Sequence, residues 1–398
     1  MNLQRRSQLR SELRARAGQW RELVAIHGTP LLVLDPYRVA AQYSLLTEHL
    51  RGFHLHYAVK ALPHPAVLTV LAASGSSFDV ATRAEVDLVS QLGIPMTRCI
   101  YTHPIKKPAD IDYAYSRGIR TFVVDNPIEA QKFVGRGADV EIMVRLAFRN
   151  PSAKSDLSMK FGADPAEAEL LVKHVVAAGV RFAGFSFHVG SQGSAVAPYR
   201  DALRATLDLT RHVERALGLH VPAIDVGGGF PVTYREEMPP ISAIGDVMDE
   251  VLGRHHDYTM LAEPGRFVVA DCMTLLTSVV GSATRAGRTW HYLDDGLYGS
   301  YSNVMTEDVH PPILALSELE DGPLTELEPV TLAGPTCDSV DVVAGDYPMP
   351  SLAVGDIVVS PVMGAYTAVT SSRFNGIAAT PIVVSPGKRC CARADRYR

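Results

Sequence analysis

Residues 56–63 read His-Tyr-Ala-Val-Lys-Ala-Leu-Pro. The run Phe53–Lys60 is apolar enough for a buried β-strand, yet it ends on a lysine, and charged side chains are seldom buried without a partner. Two readings compete. In the first, Lys60 has left the sheet and reaches into water along its aliphatic stem. In the second, it is held in a site as a covalent nucleophile, for instance as a Schiff base with a carbonyl cofactor. The surrounding sequence decides between them.

Similar short runs, apolar and rich in β-branched residues, recur at Ser77–Ala81, Cys99–Thr102, Thr121–Asp125, Glu141–Leu146, Arg181–His188, Ala223–Val226 and Thr259–Ala262. With Phe53–Lys60 they make eight. Stretches with helical apolar spacing lie between them, such as Ala84–Leu92, Ile128–Val134, Pro165–Ala178 and Pro198–Leu217. Strands that alternate with helices imply a parallel sheet. Eight units in roughly 200 residues predict a closed (β/α)8 TIM barrel rather than an open sheet.

The strand C-termini of such a barrel open onto one face, where its active sites lie. The eight runs end on Lys60, Asp79, His103, Asp125, Arg145, His188, the turn Gly227-Gly228-Gly229, and Glu263. Each has an ordinary reading by itself. His103 precedes a proline and suits a loop, and Asp125-Asn126 is an N-cap signal for the next helix. Together they gather a lysine, an arginine, histidines and carboxylates at one mouth, which makes it the candidate active site.

Beyond residue 270 the helical period fades. Alternating segments at Thr274–Val280, Trp290–Leu293, Val330–Leu332, Asp356–Val359 and Pro381–Val384 are separated by Gly- and Pro-containing turns, which predicts a β-domain. The expected organisation is an N-terminal extension over 1–27, a cofactor-binding barrel over 28–270, and a C-terminal β-domain and tail over 271–398. Segment 28–37, with Pro30–Leu34, is a candidate extra strand of the β-domain.

Composition narrows the function. The chain has 398 residues and a net charge of −5, which leaves no electrostatic footprint for nucleic acid. No apolar run is long enough to span a membrane. The Arg-rich first sixteen residues lack the apolar region of a secretory signal and read as a frayed or peripheral helix. Five cysteines, Cys99, Cys272, Cys337, Cys390 and Cys391, are an odd number at spacings that match no zinc motif. No metal is expected, and a reduced, cytoplasmic setting fits. Cys390-Cys391 reads as part of an incidental basic tail.

The triple glycine in Asp-Val-Gly-Gly-Gly-Phe-Pro (225–231) follows the seventh strand. Loops after strands seven and eight of a barrel commonly bind phosphate through backbone amides. Ser191 and Arg266 follow strands six and eight, and can add a hydroxyl and a guanidinium. A carboxylate such as Glu263 beside a pyridine nitrogen keeps that nitrogen protonated, as pyridoxal phosphate (PLP) requires when it acts as an electron sink.

Six motifs carry a specific resemblance. Tyr57-Ala-Val-Lys60, His188-Val-Gly-Ser191, Gly227-Gly-Gly-Phe230, Glu263-Pro-Gly-Arg266, Gly334-Pro-Thr-Cys337-Asp338 and Gly364-Ala-Tyr366-Thr367 occur in that order. The chain resembles the alanine-racemase-fold (fold type III) PLP decarboxylases, and within them the ornithine decarboxylase branch, from about residue 28 to 380. The resemblance implies that Lys60 forms the internal aldimine, that His188 stacks on the ring, and that Glu263 pairs with the ring nitrogen. It assigns the phosphate to Ser191, Gly228, Gly229, Arg266 and Tyr366, and gives Asp79 and Arg145 the support of the lysine and ring. It also implies a homodimer in which Cys337 and Asp338 reach the neighbouring subunit's site, with Cys337 protonating the substrate carbon. Tyr298, Glu307 and Phe374 join Asp338 as substrate-binding candidates.

A basic substrate needs an anion for its distal ammonium, and Cys337-Asp338 favours a diamine-type substrate. A relative specific for diaminopimelate usually carries Glu after that cysteine. Ornithine, giving putrescine and hence a place in polyamine biosynthesis, is the first choice. One segment departs from the pattern. Asp294–Asp308 ends in Thr306-Glu307-Asp308 where the family typically has Tyr-Asp-His. In direct register Glu307 takes the place of the aspartate; a shift of one residue puts Asp308 there. The longer glutamate favours a shorter substrate such as 2,4-diaminobutyrate. Lysine, arginine, diaminopimelate or a conjugated amine are further alternatives. So is a catalytically idle PLP-binding regulator, which the presence of both Lys60 and Cys337 disfavours. A racemase is disfavoured because related racemases place an arginine near the ring nitrogen where this chain has Glu263.

Overall fold

A computed structural model describes residues 1–253, 256–320 and 326–385; the Cys390-Cys391 tail lies outside them. Two compact units are present, one built from 39–232 with 238–268, the other from 1–38, 233–237 and the described residues from 269 onward.

The first unit is a closed barrel of eight parallel strands: Phe53–Ala58, Ser77–Val80, Cys99–Tyr101, Thr121–Val124, Glu141–Leu146, Arg181–Phe187, Ala223–Asp225 and Thr259–Ala262. All eight expected strands are there. The last closes on the first, with Met260 opposite Phe53 and Ala262 opposite Leu55. Strands such as Thr121–Val124 are buried over nearly their whole length, because helices cover the outside and side chains fill the interior. Val123, Met143 and Ala183 form part of that filling.

The helix Ala197–Leu217 shows how the outer layer is specified. Pro198 sits in its first turn and Gly218 ends it in a left-handed conformation, φ +62°, the usual placement of these two residues. Tyr199, Ala202, Leu203, Thr206, Leu207, Thr210 and Val213 recur every three or four positions and are its buried face, as an amphipathic helix requires.

The second unit carries an eight-stranded sheet. Met273–Arg285 pairs antiparallel with Arg288–Leu293 and with Ile357–Ser360. Leu31–Leu34 lies in this sheet, antiparallel to Met273–Leu276 and parallel to Ile382–Val384. Val342–Met349 is a long strand that sequence periodicity missed, since Gly345 and Pro348 interrupt it.

The N-terminal segment is not a frayed helix. Leu3–Leu13 and Ala17–His27 bury Leu9, Leu13 and Trp20 against Leu31, Leu276, Leu314 and Val359. Arg6 makes a two-pronged contact with Glu318, Nε to Oε1 and Nη2 to Oε2, both at 2.7 Å, and donates a third bond to the Pro348 carbonyl at 2.8 Å. A buried guanidinium is stable only when paired and hydrogen-bonded in this way.

Candidate active site

Lys60 lies just past the first barrel strand, in the single turn Val59–Ala61. Its side chain is 45% exposed, and Nζ stands 3.8 Å from Oδ2 of the buried Asp79. Asp79 is inside the second strand, opposite Ala58, and its Oδ1 accepts the Thr102 hydroxyl. The lysine therefore occupies a middle ground between the two sequence readings: its head reaches the mouth of the barrel, and a buried carboxylate steadies it.

Arg145 extends from the fifth strand. Burial lowers its pKa, opposed by Glu263, Asp125, Asp79 and Asp225. His188 follows the sixth strand and accepts the Gly190 N–H on Nδ1 at 3.0 Å. Burial, then the positive Arg145 and Lys60, hold its ring well below the usual histidine pKa, so it stays neutral. Burial, then Asp225 and Asp79, push the Glu263 carboxyl well above the usual range. Thr102, Arg145, Ser186, His188 and Glu263 line one small cavity.

The glycine turn lies beside this cluster. A Cβ on Gly228 would stand 2.4 Å from the Glu263 carbonyl oxygen, and one on Gly229 2.0 Å from that of Gly190. Gly229 also has φ +86°, a conformation that costs other residues energy. Only glycine lets the three loops meet so closely. Tyr199 supports the turn, its hydroxyl bonded to the Gly228 carbonyl at 3.3 Å and its ring stacked on Phe230. The buried Arg266 donates from Nε to Ser191 Oγ at 3.3 Å.

Two mouth residues keep their ordinary roles. His103 accepts the Ile105 N–H in its own loop. Asp125 accepts from Asn126 and from the Gly162 N–H. The cap of helix Pro127–Gln131 is Asn126 rather than Asp125, since Asn126 Oδ1 accepts the Glu129 N–H at 3.0 Å.

The β-unit brings together a second set. Tyr298 donates its hydroxyl to Asp338 Oδ2 at 2.5 Å, which holds the Asp338 carboxyl below its usual pKa. The rings of Tyr298 and Phe374 are 4.6 Å apart. Cys337 is an exposed free thiol whose N–H donates to Asn375 at 3.0 Å. Asp341 ties the two loops: its Oδ1 accepts the Leu297 N–H at 2.7 Å, and its Oδ2 accepts the Thr336 N–H at 3.1 Å and hydroxyl at 2.7 Å. Tyr366 has φ +53°. Glu307 ends the short helix Ser302–Glu307.

Sequence reasoning missed Thr102, Tyr199, Asp225 and Asp341. The one available signal was at Asp225, a carboxylate standing directly before the glycine turn.

The barrel mouth fits a phosphorylated pyridine aldehyde. An ammonium waits at its edge, a glycine turn with a hydroxyl and a guanidinium suits an anion, and the Glu263 carboxyl suits the ring nitrogen. Fold and donor set together define a barrel-type PLP enzyme. Residues 37–270 match the family described as "Pyridoxal-dependent decarboxylase, pyridoxal binding domain". A lysine/ornithine decarboxylase of Selenomonas ruminantium is 35% identical over 358 residues, 89% of each chain. The crystal structure of lysine/ornithine decarboxylase from Vibrio vulnificus complexed with putrescine superposes with TM-score 0.86 at 39% identity, over 93% of this chain and 98% of that one. The Paramecium bursaria Chlorella virus arginine decarboxylase bound to agmatine gives TM-score 0.86 at 27% identity, over 93% and 100%. The chain belongs to this family of pyridoxal-dependent decarboxylases: it is a PLP-dependent amino-acid decarboxylase.

Proposed function

We propose that the protein decarboxylates a basic L-amino acid, with ornithine to putrescine the first choice. The observation that carries the basic substrate is the Tyr298–Asp338 pair. It sets a carboxylate with a lowered pKa beside an aromatic flank and next to Cys337, a suitable seat for a distal ammonium. Substrates of the relatives support the same class, since their names and complexes include lysine, ornithine and arginine decarboxylases.

Bound at this mouth, PLP would supply an electron sink for the bond between Cα and the carboxylate. The chain's own groups do the rest. Lys60 Nζ would hold the cofactor covalently at its carbonyl carbon and would give way there to the substrate amine. His188, neutral as described, would stack on the ring without adding charge. Glu263 would pair with the ring nitrogen, and Asp79 and Arg145 would fix the lysine and ring environment. Ser191, Gly228, Gly229, Arg266 and Tyr366 are the phosphate ligands that the family resemblance assigns. Cys337 of the partner subunit delivers the proton to Cα, which makes a homodimer the working unit. An exposed thiol in that role suits the reducing cytoplasm.

A shorter substrate such as 2,4-diaminobutyrate has one specific observation in its favour. Asp308 is the left-handed cap of the helix and pairs with His310 at 2.8 Å. Glu307, one methylene longer than aspartate, stands in direct register at the place of the family's distal-amine aspartate.

The test is carbon dioxide release by the purified protein with PLP, across ornithine, lysine, 2,4-diaminobutyrate, arginine and meso-diaminopimelate. Preference for ornithine supports the first choice. Preference for diaminobutyrate supports the Glu307 reading. Silence on all five by a protein that binds PLP contradicts the proposed substrate class.

A further inference from the structure

Asp225 ends the seventh barrel strand, and Glu263 follows the eighth. The two strands pair in register, with Asp225 opposite Leu261, and the Glu263 N–H donates to the Gly227 carbonyl at 2.7 Å. The backbone therefore sets the two carboxyl-bearing residues side by side at neighbouring strand ends. Asp225 is fully buried. Its Oδ1 accepts the Gly227 N–H at 2.8 Å. Its Oδ2 is buried too, and receives no hydrogen bond from an N–H or O–H of the described residues. Two carboxylates are acceptors only, so a bond between them requires a proton.

The charges around the pair favour keeping that proton. Asp79, Asp225 and Glu263 form an inner ring with Arg145 and Lys60. One retained proton leaves two negative charges against two positive ones. His188 is neutral. Farther out, Asp125 acts on Arg145, and Glu85 faces Asp79 and Lys60. Lys60 and Arg145 are both among the leading influences on Glu263, whereas Arg145 is the one cation among those on Asp225. A cationic ring nitrogen beside Glu263 draws the negative charge further onto Glu263.

We propose that Asp225 is a positioning residue that shares one proton with Glu263 and, once a cationic ring nitrogen draws the negative charge onto Glu263, donates its O–H to that carboxylate and so aims it at the ring nitrogen of the cofactor. The inference rests on the proposed assignment of Glu263 to that nitrogen. It makes a specific claim about substitutions. An asparagine at 225 keeps both contacts, with Oδ1 accepting the Gly227 N–H and Nδ2 donating to Glu263. A leucine of similar size keeps neither, and leaves a buried donor and a buried carboxylate unsatisfied.

The experiment titrates PLP into full-length wild type, Asp225→Asn and Asp225→Leu near neutral pH, and follows thermal unfolding of each protein. Infrared difference spectra of wild type against Asp225→Asn, with and without PLP, look for the carbonyl stretch of a protonated carboxylic acid. The expected result is an affinity within about threefold of wild type for the asparagine variant and at least about tenfold weaker for the leucine variant. The protonated-acid band is present in wild type and lost in Asp225→Asn. An asparagine variant weakened tenfold or more, or the absence of the band from wild type, overturns the proposal. Should Asp225→Leu fail to fold, the asparagine variant and the band decide alone. Failure of wild type to bind PLP would instead strike at the cofactor site, and the band from the cofactor-free protein would still decide the shared proton.

Discussion

The barrel mouth and the Cys337 loop of the β-unit carry functional groups in opposite ways. At the mouth Asp79, Asp225 and Arg266 are buried, and burial dominates the titration of His188, Glu263 and Asp225. In the β-unit Cys337 and Phe374 are exposed, and one phenol hydrogen bond sets the Asp338 carboxyl. A group that holds one cofactor through many turnovers gains from a rigid, pre-paired surrounding. A group that meets each new substrate must stay open. The contrast matches the proposed division: the barrel binds the cofactor, and the β-unit recognises substrate and delivers a proton.

Substitutions on the two sides should therefore fail differently. Lys60→Ala should lose covalent cofactor binding and reduce turnover about a thousandfold or more, roughly 4 kcal/mol of barrier. Visible absorbance of the lysine-bound cofactor and carbon dioxide release check it together, and full activity in this variant would break the assignment. Cys337→Ala should reduce turnover about a hundredfold while PLP affinity stays that of wild type. Parallel loss of PLP would place Cys337 with the cofactor instead.

The barrel also carries a stability that depends on pH in the mildly acidic range. His56 on the first strand is buried, and burial lowers its pKa to about 4. The unfolded chain binds a proton at about pH 6.5, so this contribution is complete above that value and is lost as the pH falls toward 4. The loss amounts to about 3 kcal/mol. Denaturant unfolding at several pH values should show it, and His56→Leu should flatten the slope. The smallest effect is expected at Asp338→Ala: about a tenfold rise in KM for a diamino acid with kcat less affected. A fall in kcat with KM unchanged would move Asp338 from recognition to chemistry.

What the sequence revealed follows from how local each feature is. The barrel strands announce themselves as β-branched runs between turns, and Lys60, Asp79, Arg145, His188 and Glu263 are visible because strand ends of a barrel converge. Pairings across the chain carry no such signal. Arg6 finds Glu318 across 312 positions, so an arginine-rich start that reads as frayed is in fact anchored. Thr102 meets Asp79, and Asp225 meets Glu263, only because neighbouring strands set them side by side. Val342–Met349 stayed hidden because strand pairing in this sheet tolerates a glycine and a proline that periodicity counts as breaks.

The measurement closest to the central claim mixes two inactive proteins, Lys60→Ala and Cys337→Ala, after dissociation and reassembly. If barrel and β-unit complete a site across two subunits, a random mixture recovers about a quarter of wild-type specific activity, since half the dimers contain one intact site of two. Activity no greater than the sum of the two variants, with subunit exchange verified, would contradict that account.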